Sequence, residues 1–186
     1  GSSLRFCYET RDWLGQPESA RGVPHTVVCG CGVDEFNYGI HAYAMLSGIL
    51  GPGIARVRHL GAGVQRRIEV TWNKGAKGFL VIGKAETWLP FYAATITERS
   101  ITQYQADSSR LYAALLEAVL PYLAGETPTA PVGVDALFEP ELCALAARRS
   151  WLHGDACTSL ADLNDDDAYD GPAFAREYRK ARYPDL

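Results

Sequence analysis

The sequence predicts an α+β fold: an open, mainly antiparallel β-sheet with helices packed on one face. Three observations lead there. Six runs between Thr26 and Gln105 carry the β-branched, aromatic or alternating pattern of strands. Most consecutive runs are joined by short turns, and such pairs run antiparallel because a parallel pair needs a long crossover. Helical patterns gather before and after the strands, as in a layered domain.

Taken in order, Ser3 to Leu14 reads as a helix with Leu4 and Tyr8 on one face, ended by Gly15-Gln16-Pro17. Thr26 to Cys29 is a short strand between Pro24 and Gly30-Cys31-Gly32. The polar stretch 33–37 leads into a helix from Tyr38 to Leu50, which Gly51-Pro52-Gly53 stops. Ile54–Leu60 and Gln65–Trp72 form a hairpin around Gly61-Ala62-Gly63. In its second arm Ile68, Val70 and Trp72 alternate with Arg67, Glu69 and Thr71, the period of a half-buried strand. Gly78–Ile82 is apolar throughout and so central. Phe91–Thr97 and Ser100–Gln105 make another hairpin. Asp107 caps a helix with Leu111, Leu115, Val119 and Tyr122 at helical spacing, and Tyr112 is placed in its core face. A last strong helix runs from Glu139 to Leu152, with Pro140 at an early position. The chain then divides: residues 1–153 form the sheet domain, and 154–186 an acidic tail with Asp165-Asp166-Asp167 and a short helix, Pro172–Arg182.

Composition narrows the function. At 186 residues, 47% of them hydrophobic, the chain can bury a core without metal or disulfide staples. A net charge of −4 argues against nucleic acid as the partner, since phosphate binding wants a basic face. No apolar run reaches membrane-spanning length. Five scattered cysteines without framework spacing suggest reduced thiols and a cytoplasmic setting. His25, Cys29 and Cys31 share one parity of a strand, yet the second half of a zinc motif is missing. They read as small buried thiols beside a glycine turn, and no metal is assigned. Asp165–Asp167 lacks the spacing of a calcium loop.

Three stretches, in this order, resemble the Gfo/Idh/MocA oxidoreductase family over about residues 2–153. Ser2-Ser3-Leu4-Arg5-Phe6 is similar to the segment that enters the family's second domain. Asn37-Tyr38-Gly39-Ile40-His41 resembles its Asp-x-Gly-x-His motif. The runs 112–128 and 142–150 resemble its closing helices. The resemblance implies the C-terminal domain of such an enzyme, with a substrate pocket on one side of the sheet and an oligomer interface on the other. It implies His41 as the catalytic acid/base and Asn37, Tyr38 and Arg5 as substrate-binding residues. It also implies NAD(P), held by a Rossmann domain that this chain does not contain. The only Gly-x-Gly, Gly30-Cys31-Gly32, has Glu35 at the third position, which opposes a pyrophosphate, so no cofactor-binding residue is assigned here. The motif's acid is Asn37 and a further frequent acid is Ala44, so His41 is expected to lack a neighbouring negative charge.

Each residue also has a bland reading. His41 could bond only locally at a helix start, Asn37 could be an ordinary N-cap, and Tyr38 could simply pack there. Arg5 could tie the first helix to the sheet. The function expected is the substrate-binding and oligomerising domain of an NAD(P)-dependent oxidoreductase acting on a sugar, cyclitol or related hydroxy/keto metabolite. Its partners would be a small-molecule substrate, a second copy through the sheet face, or a separate Rossmann domain. Two alternatives stay open: a stand-alone lyase, isomerase or hydrolase using His41, or a non-catalytic binding scaffold.

Overall fold

The computed structural model describes residues 2–34 and 37–183. The strands are β1 (Thr26–Gly30), β2 (Ile54–Ala62), β3 (Arg66–Trp72), β4 (Lys77–Ile82), β5 (Tyr92–Ile96), β6 (Ile101–Gln105) and β7 (Thr158–Ser159). They form one sheet in the order β6-β5-β1-β4-β3-β2-β7. Every pairing is antiparallel except β1 with β4. The mainly antiparallel sheet is thus as expected, but β4 and β5 are not neighbours, because β1 lies between them. The early strand enters the middle of the sheet, where its backbone bonds on both sides.

Alternation decides which face is covered. Val27, Cys29, Leu80, Ile82, Ile68, Val70 and Val57 are fully buried under the helices. Their neighbours Val28, Phe79, Val81, Ala94 and Ile96 are only half-buried on the opposite face. The helix α3 (Gly39–Leu50) runs across the covered face, and its apolar residues are buried on nearly every side. At Gly78 a Cβ would sit 2.6 Å from a Leu46 methyl, so glycine there is what lets α3 approach β4.

The expected first helix is broken. Ser3–Phe6 forms a single 3-10 turn, Cys7 is extended (ψ 145°), and α1 starts afresh at Tyr8–Gly15. A short helix the sequence reading did not predict follows, α2 (Glu18–Arg21), and the helix expected after Asp107 is α4 (Leu111–Leu123). In α4 only Ala114 is buried and Tyr112 is 78% exposed, so its placement in the core is corrected. The helix hangs on the 3-10 turn with a wide apolar side outward.

The last large helix, α5 (Val134–Leu152), begins five residues before Glu139 and carries Pro140 in its interior. Proline has no N–H to give the carbonyl four residues back. That carbonyl belongs to Ala136, and Arg5 Nη2 donates to it at 2.9 Å. Glu139 turns the other way and accepts the N–H groups of Gly53 and Ile54, at 2.8 and 2.9 Å.

Beyond α5 the chain returns to the sheet as β7, paired with Arg56 and Val57 of β2. A side-chain contact fixes this return: the buried His59 Nδ1 and the part-exposed Asp155 Oδ1 are 2.6 Å apart, with the imidazole edge-on to Trp151. The tail ends in α6 (Gly171–Arg182), which buries none of its residues.

Candidate functional site

The C-terminal ends of β1 and β4, the start of β5 and the N-terminus of α3 converge at one end of the sheet. Gln65 ties these ends together, its side-chain amide donating to the carbonyls of Cys31 and Gly83, both at 2.7 Å. Gly32 N–H bonds the Leu89 carbonyl at 3.1 Å, which seats the 83–91 segment against the loop before α3.

His41 lies in the first turn of α3, half-buried. Its Nδ1 is 2.8 Å from Ser2 Oγ, and that hydroxyl, itself buried, also accepts Leu4 N–H at 3.2 Å. If Nδ1–H donates to Ser2, the Nε2 lone pair is left to take a proton. The reverse sense puts the proton on Nε2. Tyr38 and Phe91 present their rings edge-on, with centroids 6.1 and 6.0 Å from the imidazole. Burial pushes the imidazole below its ordinary pKa, while the carboxylates of Asp34 and Glu141 pull the other way. Burial thus favours the neutral imidazole, the form that can accept a proton.

The expected absence of negative charge near His41 is overturned. Asp34 Oδ1 accepts the N–H groups of Asn37 and Tyr38, at 2.5 and 3.2 Å, and its own carbonyl accepts Gly39 N–H. Its charge reaches His41. This carboxylate holds the turn that leads into α3, ahead of the helix itself. Asn37 does not cap α3, whose N-cap position is Tyr38 with no side-chain cap bond; Asn37 takes part through its backbone N–H, which Asp34 accepts. Tyr38 is 46% exposed.

Arg5 is two turns along α3 from His41, opposite Gly48, where a Cβ would come within 3.0 Å of the Arg5 carbonyl. Its guanidinium bonds Ala136 O and, at 3.4 Å, Ser47 Oγ. The structure thus groups His41, Asn37 and Tyr38 and sets Arg5 apart, in a bridge between α3 and α5. Sequence reasoning missed Ser2, Asp34 and Phe91. Asp34, three residues ahead of Asn37, did carry a signal as an acid before a helix start.

Cys29 and Cys31 are buried, and burial raises both thiols, Cys31 to about 11. His25 is exposed and bonds its neighbour Thr26. Among the described residues no cluster of His, Cys, Asp and Glu has the arrangement of a metal site.

A dinucleotide does not fit the Gly30-Cys31-Gly32 turn. The space a Cβ would take at Gly32 is filled by the Leu89 side chain at 2.6 Å, and at Gly30 by the Tyr92 hydroxyl at 2.6 Å. These glycines serve internal packing, whereas a pyrophosphate cradle keeps that space for the ligand. Glu35 lies outside the described residues. A cleft of about 850 Å³ opens at the far end of α3, lined by Leu14, Ile49, Gly51, Trp72 and Lys74, and none of the candidate residues lines it.

The chain is an open, mainly antiparallel sheet crossed on one face by α3, with His41 at one end. Its fold is that of the C-terminal domain of Gfo/Idh/MocA-type dehydrogenases. The chain is similar to a probable dehydrogenase from Thermotoga maritima (TM-score 0.71, 14% identity), covering 87% of this chain and 64% of that one. It is similar also to a myo-inositol dehydrogenase from Lactobacillus casei, in complex with NAD(H) and myo-inositol (TM-score 0.65, 13% identity, 87% and 61%). A third is a myo-inositol dehydrogenase from Corynebacterium glutamicum (TM-score 0.62, 13% identity, 85% and 63%). The chain thus spans less than two thirds of these relatives. No protein-family model and no curated protein matches the sequence. Among the described residues no helix is long and apolar enough to cross a membrane.

Proposed function

We propose that this chain is the substrate-binding part of an NAD(P)-dependent oxidoreductase acting on a cyclitol, a sugar or a related small hydroxy or keto compound. The dinucleotide belongs to another domain, and no hydride step is assigned to these residues. The observation that carries the reading is His41, held at Nδ1 by Ser2 and flanked by Tyr38 and Phe91, its neutral form favoured by burial, in a fold shared with inositol dehydrogenases. In this reading a ligand hydroxyl gives its proton to His41 Nε2. The Asn37 amide, both donor and acceptor, orients a neighbouring hydroxyl, and the Tyr38 ring borders the ligand. Arg5 supports the site from behind by holding α3 to α5, and it reaches a ligand only with the N–H groups not given to Ala136 and Ser47. Asp34 stabilises the imidazolium once the proton has moved.

The same reading gives the opposite sheet face, with Val28, Phe79, Val81 and Ile96, to a second copy. Phe79→Glu is then expected to lower the mass in solution.

The test is binding of myo-inositol, scyllo-inositol, glucose and their keto forms, followed by ligand-observed NMR. At least one is expected to bind, and His41→Ala to weaken it about tenfold, the loss of one good polar contact. A panel without a binder contradicts the reading. The filled glycine turn favours a second reading, a lyase, isomerase or hydrolase with His41 as base. Turnover by this chain without any dinucleotide distinguishes it.

A further inference from the structure

The cleft at the far end of α3 has a lining that the His41 site does not use. Its volume, about 850 Å³, is of the size that holds a small molecule. From His41 to Ile49 in the cleft wall, α3 rises by about 12 Å, so the two places can fill independently. Leu14 and Leu50, both half-buried, give the cleft an apolar bed.

Two cations line it without a counter-ion. Arg21 is held by neutral groups: its Nε donates to the Gln16 carbonyl at 3.2 Å and its Nη1 to the Gly22 carbonyl at 2.9 Å. The guanidinium also lies over the Trp13 ring, 4.9 Å from its centre. Among the described residues no carboxylate pairs with Arg21, and Nη2 is left over. A fixed fork with its charge uncompensated suits a carboxylate. Lys74, in the turn between β3 and β4, is exposed and likewise has no ion pair among the described residues.

The end of α3 has the opposite character. Its last carbonyls, those of Gly48, Ile49 and Leu50, look for N–H groups four residues on. There stand Pro52, which has no N–H, and Gly53 and Ile54, whose N–H groups go to Glu139 at 2.8 and 2.9 Å. All three carbonyls lack a hydrogen-bond partner among the described residues, and all three residues line the cleft. This is the negative end of the helix.

We propose that the cleft binds the zwitterion of an apolar amino acid. The carboxylate meets Arg21 and Lys74, the ammonium meets the free carbonyls of α3, and the side chain lies on Leu14 and Leu50. A simple anion is drawn to the cations but opposed by the helix end, and a simple amine meets the reverse.

The test uses the whole chain and reads the ring signals of His25, which lines the cleft, against those of His41. The probes are L-phenylalanine and L-leucine, each with its counterpart lacking the amine and its counterpart lacking the carboxylate, and glycine. One of the two amino acids is expected to shift His25 and leave His41 unmoved. Its two counterparts and glycine are expected to bind at least about tenfold more weakly, each having lost one good contact. Lys74→Glu alters an exposed side chain with no ion pair to lose, so it is expected to keep the urea midpoint and weaken the amino acid about tenfold. Arg21→Gln is expected to weaken it as well. His25 unmoved by both amino acids, a shift at His41 in its place, a counterpart that binds as tightly, or full affinity in Lys74→Glu overturns the proposal. None of these outcomes bears on the hydroxyl-binding reading, which its own panel decides at His41.

Discussion

Arg5 Nη2 donates at 2.9 Å to the Ala136 carbonyl, the one whose partner N–H is missing because Pro140 sits four residues on. A residue of the first turn thereby completes the backbone bonding of a helix more than a hundred residues away. Arg5→Met is expected to cost about 1–3 kcal/mol, the penalty for a polar group left without its partner. In a Pro140→Ala background the helix regains its own N–H, so the same substitution should cost less. A double-mutant cycle by urea denaturation measures the difference, and equal costs in both backgrounds contradict the account.

Gly32 keeps the 83–91 segment seated beside His41. A Cβ there would meet Leu89 Cβ at 2.6 Å and its backbone N at 2.8 Å, so the segment must move as a unit. Gly32→Ala should destabilise the chain by roughly 1–3 kcal/mol, typical of overpacking, and shift the NMR signals of Phe91. Unchanged Phe91 signals would show the segment to be loosely held.

Asp155 carries positive φ (63°) and reaches the buried His59, whose side chain is 6% exposed. Asp155→Asn keeps a residue that tolerates this backbone while removing the charge. The return of the chain as β7 should loosen, with faster amide exchange at Thr158 and Ser159 and little change in β3. Full protection of both amides would mean that β7 is held by its pairing alone.

The strands of the middle were legible because alternation survives in sequence: Ile68, Val70 and Trp72 are all buried, as their period requires. The helix bearing His41 was legible from its stop at Gly51-Pro52-Gly53. The place of β1 between β4 and β5 was not, since strand order depends on contacts far apart in sequence. Nor was β7, whose two residues show no period. Helical spacing shows that Tyr112 lies on an apolar side of α4, but which apolar side is covered depends on the neighbours. Within the site, His41 and its neighbours Asn37 and Tyr38 were visible as a motif. Ser2 was not, because its partnership with His41 exists only after the first turn folds back along α3.

Burial depresses the His41 pKa in the folded chain, so between the folded and unfolded values the unfolded state binds more protons. The stability this residue contributes is present above about pH 6.5, the ordinary histidine value, and is lost as pH falls through the folded pKa. His41→Gln should flatten this part of the stability profile on acidification from neutral pH, measured by urea midpoints. An unchanged slope in the variant assigns the acid sensitivity to other groups.

The most direct test of the central claim, that His41 is the proton acceptor of a hydroxyl-binding site, is the NMR titration of its ring with and without polyol. In the free chain His41 is expected to titrate below the ordinary histidine range, and lower still in Asp34→Asn, which removes a carboxylate that favours the charged form. Saturating myo-inositol, or another binder from the panel, is expected to shift the His41 ring signals and its titration together while leaving His25, in the far cleft, unmoved. A ligand that shifts His25 and leaves His41 untouched, or a His41 titration indifferent to both ligand and Asp34, would contradict the account.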